Sequence, residues 1–269
     1  AIVVEPDQPG YGYAYRYAFE RARGIYVVMG DADCTYDFEA IPELVEPVVS
    51  GEADLVMGSR FDGEIKPGAM PALHRYVGNP LLTKFLNVFY DAGVSDAHSG
   101  FRVFRRNLLE EIDLRSDGME FASEMVMEVS ARDLDIVEVP ITYNAREGEA
   151  TLNSFEDGWD HVKFMLVNAP GYLFSVPGIL LSVAGVAVTV LTLLGVSIGP
   201  AHAGINSLIA GCLLTIVGFQ VTSLGVFAAV AGDPIRKPTD PVTELLVDHA
   251  TLERGATVGL GVFAVGALY

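Results

Sequence analysis

The chain has 269 residues, 51% of them hydrophobic, and a net charge of −18. Residues 1–163 hold 30 acids against 14 bases, whereas Phe164 to Gly232 contain no Asp, Glu, Lys or Arg. So acidic a first part excludes a general nucleic-acid binder, which needs a basic surface to meet phosphate, and the uncharged run predicts a soluble domain joined to a membrane domain. Four lysines stand against thirteen arginines, which reads as salt adaptation, since net charge bears on solubility rather than fold. Cys34 and Cys212 fall in such different contexts that no disulfide is expected.

Residues 2–4 read as a strand. The glycine-rich stretch "QPGYGYAYRYAFERARG", with Gly10 and Gly12, opens a helix, and "IYVVM" is the next strand. "FEAIPELVEPVVSG" has helical spacing and "ADLVMGSR" returns to strand. This alternation predicts an α/β fold, a mostly parallel sheet with helices on its faces. Ligands of such sheets bind beyond the strands' carboxyl ends, where Asp31, Asp33, Ser59 and Arg60 fall.

The stretch 60–79, rich in Gly and Pro, reads as a long loop. Asn79 and Pro80 then start a helix whose Leu81, Phe85 and Phe89 share a face with Leu82 and Leu86, a core-packing pattern. "FRVF" is a strand, "FASEMVMEVSARD" a helix, and "IVEVPITY" a strand ending at Tyr143. The first domain spans 1–153. Residues 154–170 form an amphipathic helix whose Trp159 and Lys163 suit a membrane interface, and His161 reads as solvent-facing or interfacial.

The membrane domain, 171–269, carries spans at about 172–198 and 205–230, linked by "GPAHAG". A further uncharged stretch from Gly255 reads as a truncated helix of about 22 Å, short of the ~30 Å hydrocarbon core. The loop 233–254 holds Arg236, Lys237 and Arg254, so the positive-inside rule predicts a multi-pass protein of the cell membrane with that loop cytoplasmic. Two spans return the chain to its starting side, which makes the first domain cytoplasmic too. No internal repeat stands out, nor any signature of a particular oligomeric state.

The stretch "GDADCTYDF" poses the chemical question. "DADCT" fits the D-x-D-x-T of haloacid-dehalogenase-like phosphatases, but Lys66 and Lys84 lie in poor contexts for the required lysine, and no second acidic strand end stands out. The pair could instead only cap and solvate a strand end. In a third reading Asp31 and Asp33 hold a divalent cation, Mg²⁺ or Mn²⁺, against a nucleotide diphosphate. Such a cation takes one or two carboxylates and completes its shell with phosphate and water, and it offsets charge on a departing diphosphate.

Eight stretches taken in register resemble family 2 glycosyltransferases, above all polyprenyl- or dolichyl-phosphate mannose and glucose synthases. They are "PGYGYAYRYAF", "GDADCTYDF", "DLVMGSRF", "GAMPALHRYVGNPLLTKFLN", "SDAHSGFRVFRR", "GMEFASEM", "EVPITYNAREGE" and "EDGWDHVKF". The resemblance implies part of a GT-A fold, an inverting transfer from a nucleotide-diphosphate sugar, and a polyprenyl or dolichyl phosphate acceptor in the lipid bilayer. It gives Asp31 and Asp33 the metal, with Asp33 the more direct ligand. Arg102 and Arg146 fall near the phosphates, with Arg60 a third, and guanidinium suits that task because it grips phosphate oxygens in a fork. Gly10, Gly12 and Ser99 fall in the substrate-binding stretches. A lipid phosphate is already anionic and needs no base, whereas a sugar hydroxyl would need a carboxylate, for which Glu120 and Glu124 are candidates. His98 is expected only to support its loop.

Set against the family, the first strand and the nucleobase-binding loop would precede residue 1, which hides the donor. "GEATL" replaces the frequent "GxSKL", with Ala150 and Thr151 at the Ser and Lys positions. Glu156 and Asp160 replace basic residues in the following helix, and Thr35 stands where relatives often have glutamine. A processive polysaccharide synthase would carry Q-x-x-R-W, but the only glutamines are Gln8 and Gln220. A transferase acting on a sugar hydroxyl, or a non-catalytic membrane-tethered binding protein, are the competing functions.

Overall fold

A computed structural model describes residues 3–148, 154–198, 201–202, 204–231, 240–249 and 251–268. The chain divides into two units, Ala1–Asn168 and Ala169–Tyr269. Runs rich in Val, Ile and Tyr make the sheet of the first: β1 (Tyr26–Met29), β2 (Leu55–Ile65), β3 (Arg102–Arg105) and β4 (Ile136–Tyr143), in the order β1-β3-β2-β4. β2 and β4 pair in parallel, while β3 runs antiparallel between β1 and β2. Three strands thus share one direction, as the strand–helix alternation implies. The reversed strand follows the long excursion after β2, which is not a simple strand–helix–strand crossover.

Helices α1 (Tyr11–Phe19), α2 (Ile41–Ser50), α3 (Asn79–Tyr90), α4 (Leu108–Glu111), α5 (Phe121–Ala131) and α6 (Ser154–Val167) complete this unit. Leu44 and Val48, one turn apart on α2, are fully buried with Val56, Phe101 and Val103, and Ile141 is buried beside them. Gly51, at φ 80°, ends α2 in the left-handed conformation that glycine adopts at no steric cost. Residues Phe121 to Ser130 of α5 are all buried, so Glu124 and Glu128 lie inside.

Three expectations change. Val3 and Val4 join no strand, and Val3 is 93% exposed. The loop expected at 60–79 is shorter, because β2 continues to Ile65 and pairs Glu64 with Thr142 across a bulge, and His74–Gly78 forms a wide π-helical turn. On α3, Leu82, Leu86 and Tyr90 are buried, but Leu81 is 47% exposed, so the apolar face is only partly core. Tyr90 anchors α3 to α6 by donating to the Met165 carbonyl at 3.0 Å.

The second unit has two helices long and apolar enough to cross a membrane, Gly171–Leu193 and Ile205–Ala231. The first opens with a π-helical turn, Gly171–Ser175, and continues as α7 (Val176–Leu193); the second is α8 (Ile205–Ala231). Short strands β5 (Ser197–Ile198) and β6 (Ala201–His202) pair within the connection. Arg236 and Lys237 of the expected loop lie outside the described residues. Part of that loop is helical: α9 (Pro241–His249) starts where Asp240 accepts from the amides of Val242 (3.2 Å) and Thr243 (3.0 Å). Helix α10 (Leu252–Leu268) begins three residues before the expected Gly255.

A repeat does exist here. Gly178 and Gly185 on α7, and Gly211, Gly218 and Gly225 on α8, are seven residues apart, with Ser and Thr between them. A Cβ on Gly178 would lie 2.5 Å from the Thr222 amide nitrogen, and one on Gly185 would overlap that of Thr215. Small residues at heptad spacing let the two backbones approach closely.

Candidate active site

β1 delivers the aspartates to the carboxyl end of the sheet, and the two carboxylates meet different surroundings. Asp31 is half-buried and accepts from the Tyr15 hydroxyl at 3.2 Å. Beside it the Gly100 amide donates to the Tyr36 hydroxyl at 2.7 Å. A Cβ on Gly100 would lie 3.0 Å from the Tyr11 hydroxyl, 3.2 Å from Asp31 Oδ2 and 3.3 Å from the Tyr36 hydroxyl. Glycine at this position therefore leaves room for three oxygens to converge. Burial pushes the Asp31 carboxyl above its ordinary range, Tyr15 works against that, and the charge of Asp33 adds to it.

Asp33 moves the other way. Burial again acts to raise it, but the Thr35 hydroxyl at 2.5 Å, the Thr35 amide at 3.2 Å and Arg146 Nε at 2.7 Å hold it below the ordinary range. Cys34, between them, sits at φ 64°, a turn that folds Thr35 back onto the carboxylate. The loop is laced to the segment after β4: Glu147 N donates to Asp33 O at 2.9 Å and Asn144 N to Thr35 O at 2.8 Å. Arg146 thereby reaches Asp33 although the two lie far apart in sequence.

Two adjacent carboxylates pushed apart in acidity are a functional pattern. Their hard oxygen donors fit Mg²⁺ or Mn²⁺. Among the described residues no three His, Cys, Asp or Glu side chains cluster here, so the rest of such a shell would come from water and phosphate oxygens. The Arg146 side chain is 32% exposed, so it can exchange Asp33 for an incoming phosphate without leaving a buried carboxylate bare.

The other predicted residues have different partners. Arg102 is fully buried; it donates to the carbonyls of Ser99 (2.9 Å), Ala97 (2.9 Å) and Ala122 (2.8 Å), and its Nη1 has no hydrogen-bond partner among the described residues. Burial holds its pKa below the ordinary arginine value. Arg60 is locked on Asp96 through Nε and Nη2, both at 2.7 Å, with its guanidinium 5.2 Å from the Tyr143 ring centroid. Ser99 is buried, and its hydroxyl accepts from Phe101 N at 3.4 Å.

Gly10 and Gly12 serve a close approach of backbone. A Cβ on Gly10 would lie 2.5 Å from the Asp117 carbonyl, one on Gly12 would overlap the Ser116 carbonyl, and Tyr13 N donates to Asp117 O at 3.2 Å. Glu124 is spent on the same loop, accepting from the amides of Arg115 and Ser116, each at 2.9 Å. Burial nonetheless raises its carboxyl. Glu120 is half-exposed and, among the described residues, takes a single 3.3 Å bond from Gly118 N, which leaves it the more available of the two.

Sequence reasoning missed the tyrosines. Tyr11 and Tyr15, one turn apart on α1, face the same partners, with Tyr15 stacked on Phe121 at 5.8 Å; the "YGYAYRY" spacing was the available signal. It also misplaced His161, which is buried and bonded through Nδ1 to Ser123 Oγ at 3.0 Å. Ser123 also meets His98 Nε2 at 3.2 Å, so His98 is tied to α5 and α6 together. Residues 149–153, including Ala150 and Thr151, lie outside the described residues, as does the Glu156 side chain, while Asp160 pairs with Lys163 at 2.6 Å.

The chain is similar to known proteins. The profile of the family described as glycosyl transferase family 2 matches residues 1–113. The low-salt glycan biosynthesis hexosyltransferase Agl6 of Haloferax volcanii is 62% identical over 269 residues, all of this chain and 65% of that protein. The dolichyl-phosphate hexose transferase of the same organism is 34% identical over 160 residues, 59% of this chain and 67% of that one. The chain thus spans less than two thirds of the length of the first of these relatives. Among solved structures, glucosyl-3-phosphoglycerate synthase from Mycobacterium tuberculosis, in complex with Mn²⁺, UDP and its product, is 22% identical, with a TM-score of 0.47, over 61% of this chain and 56% of that one.

Proposed function

Because the chain belongs to glycosyl transferase family 2, we propose that its first unit is the catalytic part of an inverting transferase that moves a hexose from a nucleotide-diphosphate sugar to a polyprenyl or dolichyl phosphate. The observation that carries this reading is the juxtaposition of Asp31, Asp33 and Arg146 at one end of the sheet. Asp33, kept ionised by Thr35, and Asp31 would hold Mg²⁺ or Mn²⁺, which offsets charge on the diphosphate when bound. Arg146 would grip phosphate oxygens through its planar fork of N–H donors. The lipid phosphate attacks as an anion, so no base is needed, and the commitment of Glu124 to backbone amides is compatible with that. Names of relatives that act on dolichyl phosphate and on hexoses support the acceptor and the sugar class.

Arg60 and Arg102 act here through position. Arg102 ties the 97–99 backbone to α5, and Arg60 fixes Asp96, so the pair hold the loop whose Gly100 forms the floor beside Asp31. The two apolar helices would anchor the unit in the cell membrane as a multi-pass protein, with α6 at the interface and the catalytic part on the cytoplasmic face. The test is an assay of the chain in membranes, with Mg²⁺ or Mn²⁺, offering a panel of UDP- and GDP-sugars to dolichyl phosphate at high and low salt. A lipid-linked sugar is expected with at least one donor, and none with Asp33→Ala. Full activity in Asp33→Ala would overturn the metal assignment. Absence of product with every donor would favour the non-catalytic reading, and product only on a sugar hydroxyl would point to Glu120 as base.

A further inference from the structure

Two histidines of the first unit meet over one hydroxyl, and no step of the proposed transfer uses them. Ser123 Oγ, fully buried on α5, lies 3.2 Å from His98 Nε2 and 3.0 Å from His161 Nδ1. The two rings stand edge to face, with centroids 4.8 Å apart. His98 Nδ1 is shut off from solvent and has no hydrogen-bond partner among the described residues. A buried N–H left without an acceptor is rarer than an unfilled lone pair, so this nitrogen carries the lone pair and Nε2 the proton. His98 therefore donates to Ser123, and the single hydroxyl proton of Ser123 goes to His161 Nδ1. Burial, and then the charges of His161, Arg60 and Arg102, hold the His98 imidazole well below the ordinary histidine range. The ring stays neutral and the order of donors is kept.

We infer that the chain of donors from His98 through Ser123 to His161 sets the loop 96–100 against Asp31, which makes these three side chains positioning residues for the transfer. Asp31 meets that loop at Gly100, whose amide donates to the Tyr36 hydroxyl and whose missing Cβ leaves room beside the carboxylate. Arg60 grips Asp96 at the start of the loop, and Arg102 binds the carbonyls of Ala97 and Ser99. Both arginines reach the loop from the sheet. The His98 side chain, between those two carbonyls, extends the hold to α5 and α6. Helix α6 follows the segment that carries Arg146, the partner of Asp33. One hydroxyl thus ties the floor beside Asp31 to the helix that comes after Arg146. The inference rests on the proposed transfer and adds residues that act through Gly100 rather than on the substrate.

The test uses the whole chain in nanodiscs. Carbonyl-¹³C serine combined with ¹⁵N glycine marks only two peptide bonds, Ser50–Gly51 and Ser99–Gly100, because no other serine precedes a glycine. Ser123→Ala removes a single oxygen and His161→Leu removes the terminal acceptor. Each is expected to shift the Gly100 amide resonance and to leave that of Gly51 in place. His161→Asn, which keeps an acceptor near the Nδ1 position, should leave Gly100 as it is. In ¹⁵N-histidine spectra His98 should show a bare Nδ1 and remain neutral at about pH 5.5, roughly a unit below the ordinary histidine value. In the transfer assay Ser123→Ala and His161→Leu should each lower kcat, per folded chain, about ten-fold, and the double variant no further, because both break one chain. His161→Asn should keep most of the wild-type rate. A fixed Gly100 resonance in Ser123→Ala, a proton on His98 Nδ1, additive losses in the double variant, or equal losses in His161→Asn and His161→Leu would each overturn the positioning role. The spectra need no turnover, so a chain inactive with every donor would defeat the transfer reading while Gly100 and His98 still decide this one.

Discussion

The two units solve the problem of internal polarity in opposite ways. In the first, charged groups are taken inside and each is held by directed bonds: Arg60 by Asp96, Arg102 by three carbonyls, Glu124 by two amides. In the second, α7 and α8 carry no charge and meet through glycine, serine and threonine; the Thr215 and Thr222 hydroxyls bond back to Gly211 and Gly218 of their own helix, and Ser182 donates across to the Thr215 carbonyl at 3.4 Å. A buried ion pair fixes a loop in one geometry but is costly to break. Close backbone packing needs no partner charge, yet it forbids side chains of ordinary size. A catalytic loop benefits from the first device and an apolar hairpin from the second.

The sharpest way to break this comparison is to remove one partner of the buried pair. Asp96→Asn leaves the Arg60 guanidinium buried without its carboxylate, and such losses cost about 3–5 kcal/mol. The unfolding midpoint should therefore drop steeply. Asp33→Asn, which removes an ion pair whose side chains are 21% and 32% exposed, should cost less than about 1 kcal/mol while abolishing transfer. Equal destabilisation by the two variants would mean that the Arg60–Asp96 pair is no more structural than the pair at the site.

The second unit offers the counterpart. Gly185→Val forces a branched side chain between α7 and α8 where a Cβ already overlaps Thr215, and overpacking of this kind costs roughly 1–3 kcal/mol. Gly259→Val on α10, where a Cβ meets nothing within 4 Å, should leave stability unchanged or slightly improved. Unfolding in detergent micelles, followed by helical circular dichroism, separates the two. A Gly185→Val chain as stable as the Gly259→Val one would show that the glycine repeat is not the contact.

Strand positions were legible in the sequence because their apolar runs are short and bounded: "IYVVM" and "IVEVPITY" fall on β1 and β4. Two apolar spans were legible for the same reason. The reversed direction of β3 was not, since local pattern carries no record of which neighbour a strand meets. Asp31 and Asp33 could be read from their place at a strand end, and Arg146 from a motif. Their proximity depends on the lacing of residues 144–147 to 33–35, which only the folded chain displays. Arg60 and Arg102 illustrate the remaining limit. An arginine near a site looks alike in sequence whether it faces a phosphate, a buried carboxylate or backbone carbonyls, and the partner Asp96 lies 36 residues from Arg60. The glycine repeat is masked in the sequence because its small residues lie within a run that is apolar throughout.

The mildest perturbation reaches the feature that distinguishes Asp31 from Asp33. Tyr15→Phe removes one hydrogen bond, worth about 0.5–1.5 kcal/mol, and keeps the ring stacked on Phe121. Burial raises the Asp31 carboxyl, and the Tyr15 hydroxyl opposes that rise by favouring the ionised form. Without the hydroxyl, Asp31 should hold its proton to a higher pH. On the proposed function the ionised carboxylate serves the reaction, so the acid limb of the kcat/KM profile should move towards neutral pH, with the plateau little changed. The stability consequence has a definite sign as well. A carboxyl raised on folding binds more protons in the native state, so its contribution favours the fold at low pH and is lost as pH rises through the folded value. Tyr15→Phe should extend that loss to higher pH. An acid limb that stays in place would mean that ionisation of Asp31 does not limit the rate, and would leave Asp33, already held below the ordinary range by Thr35 and Arg146, as the carboxylate on which the chemistry depends.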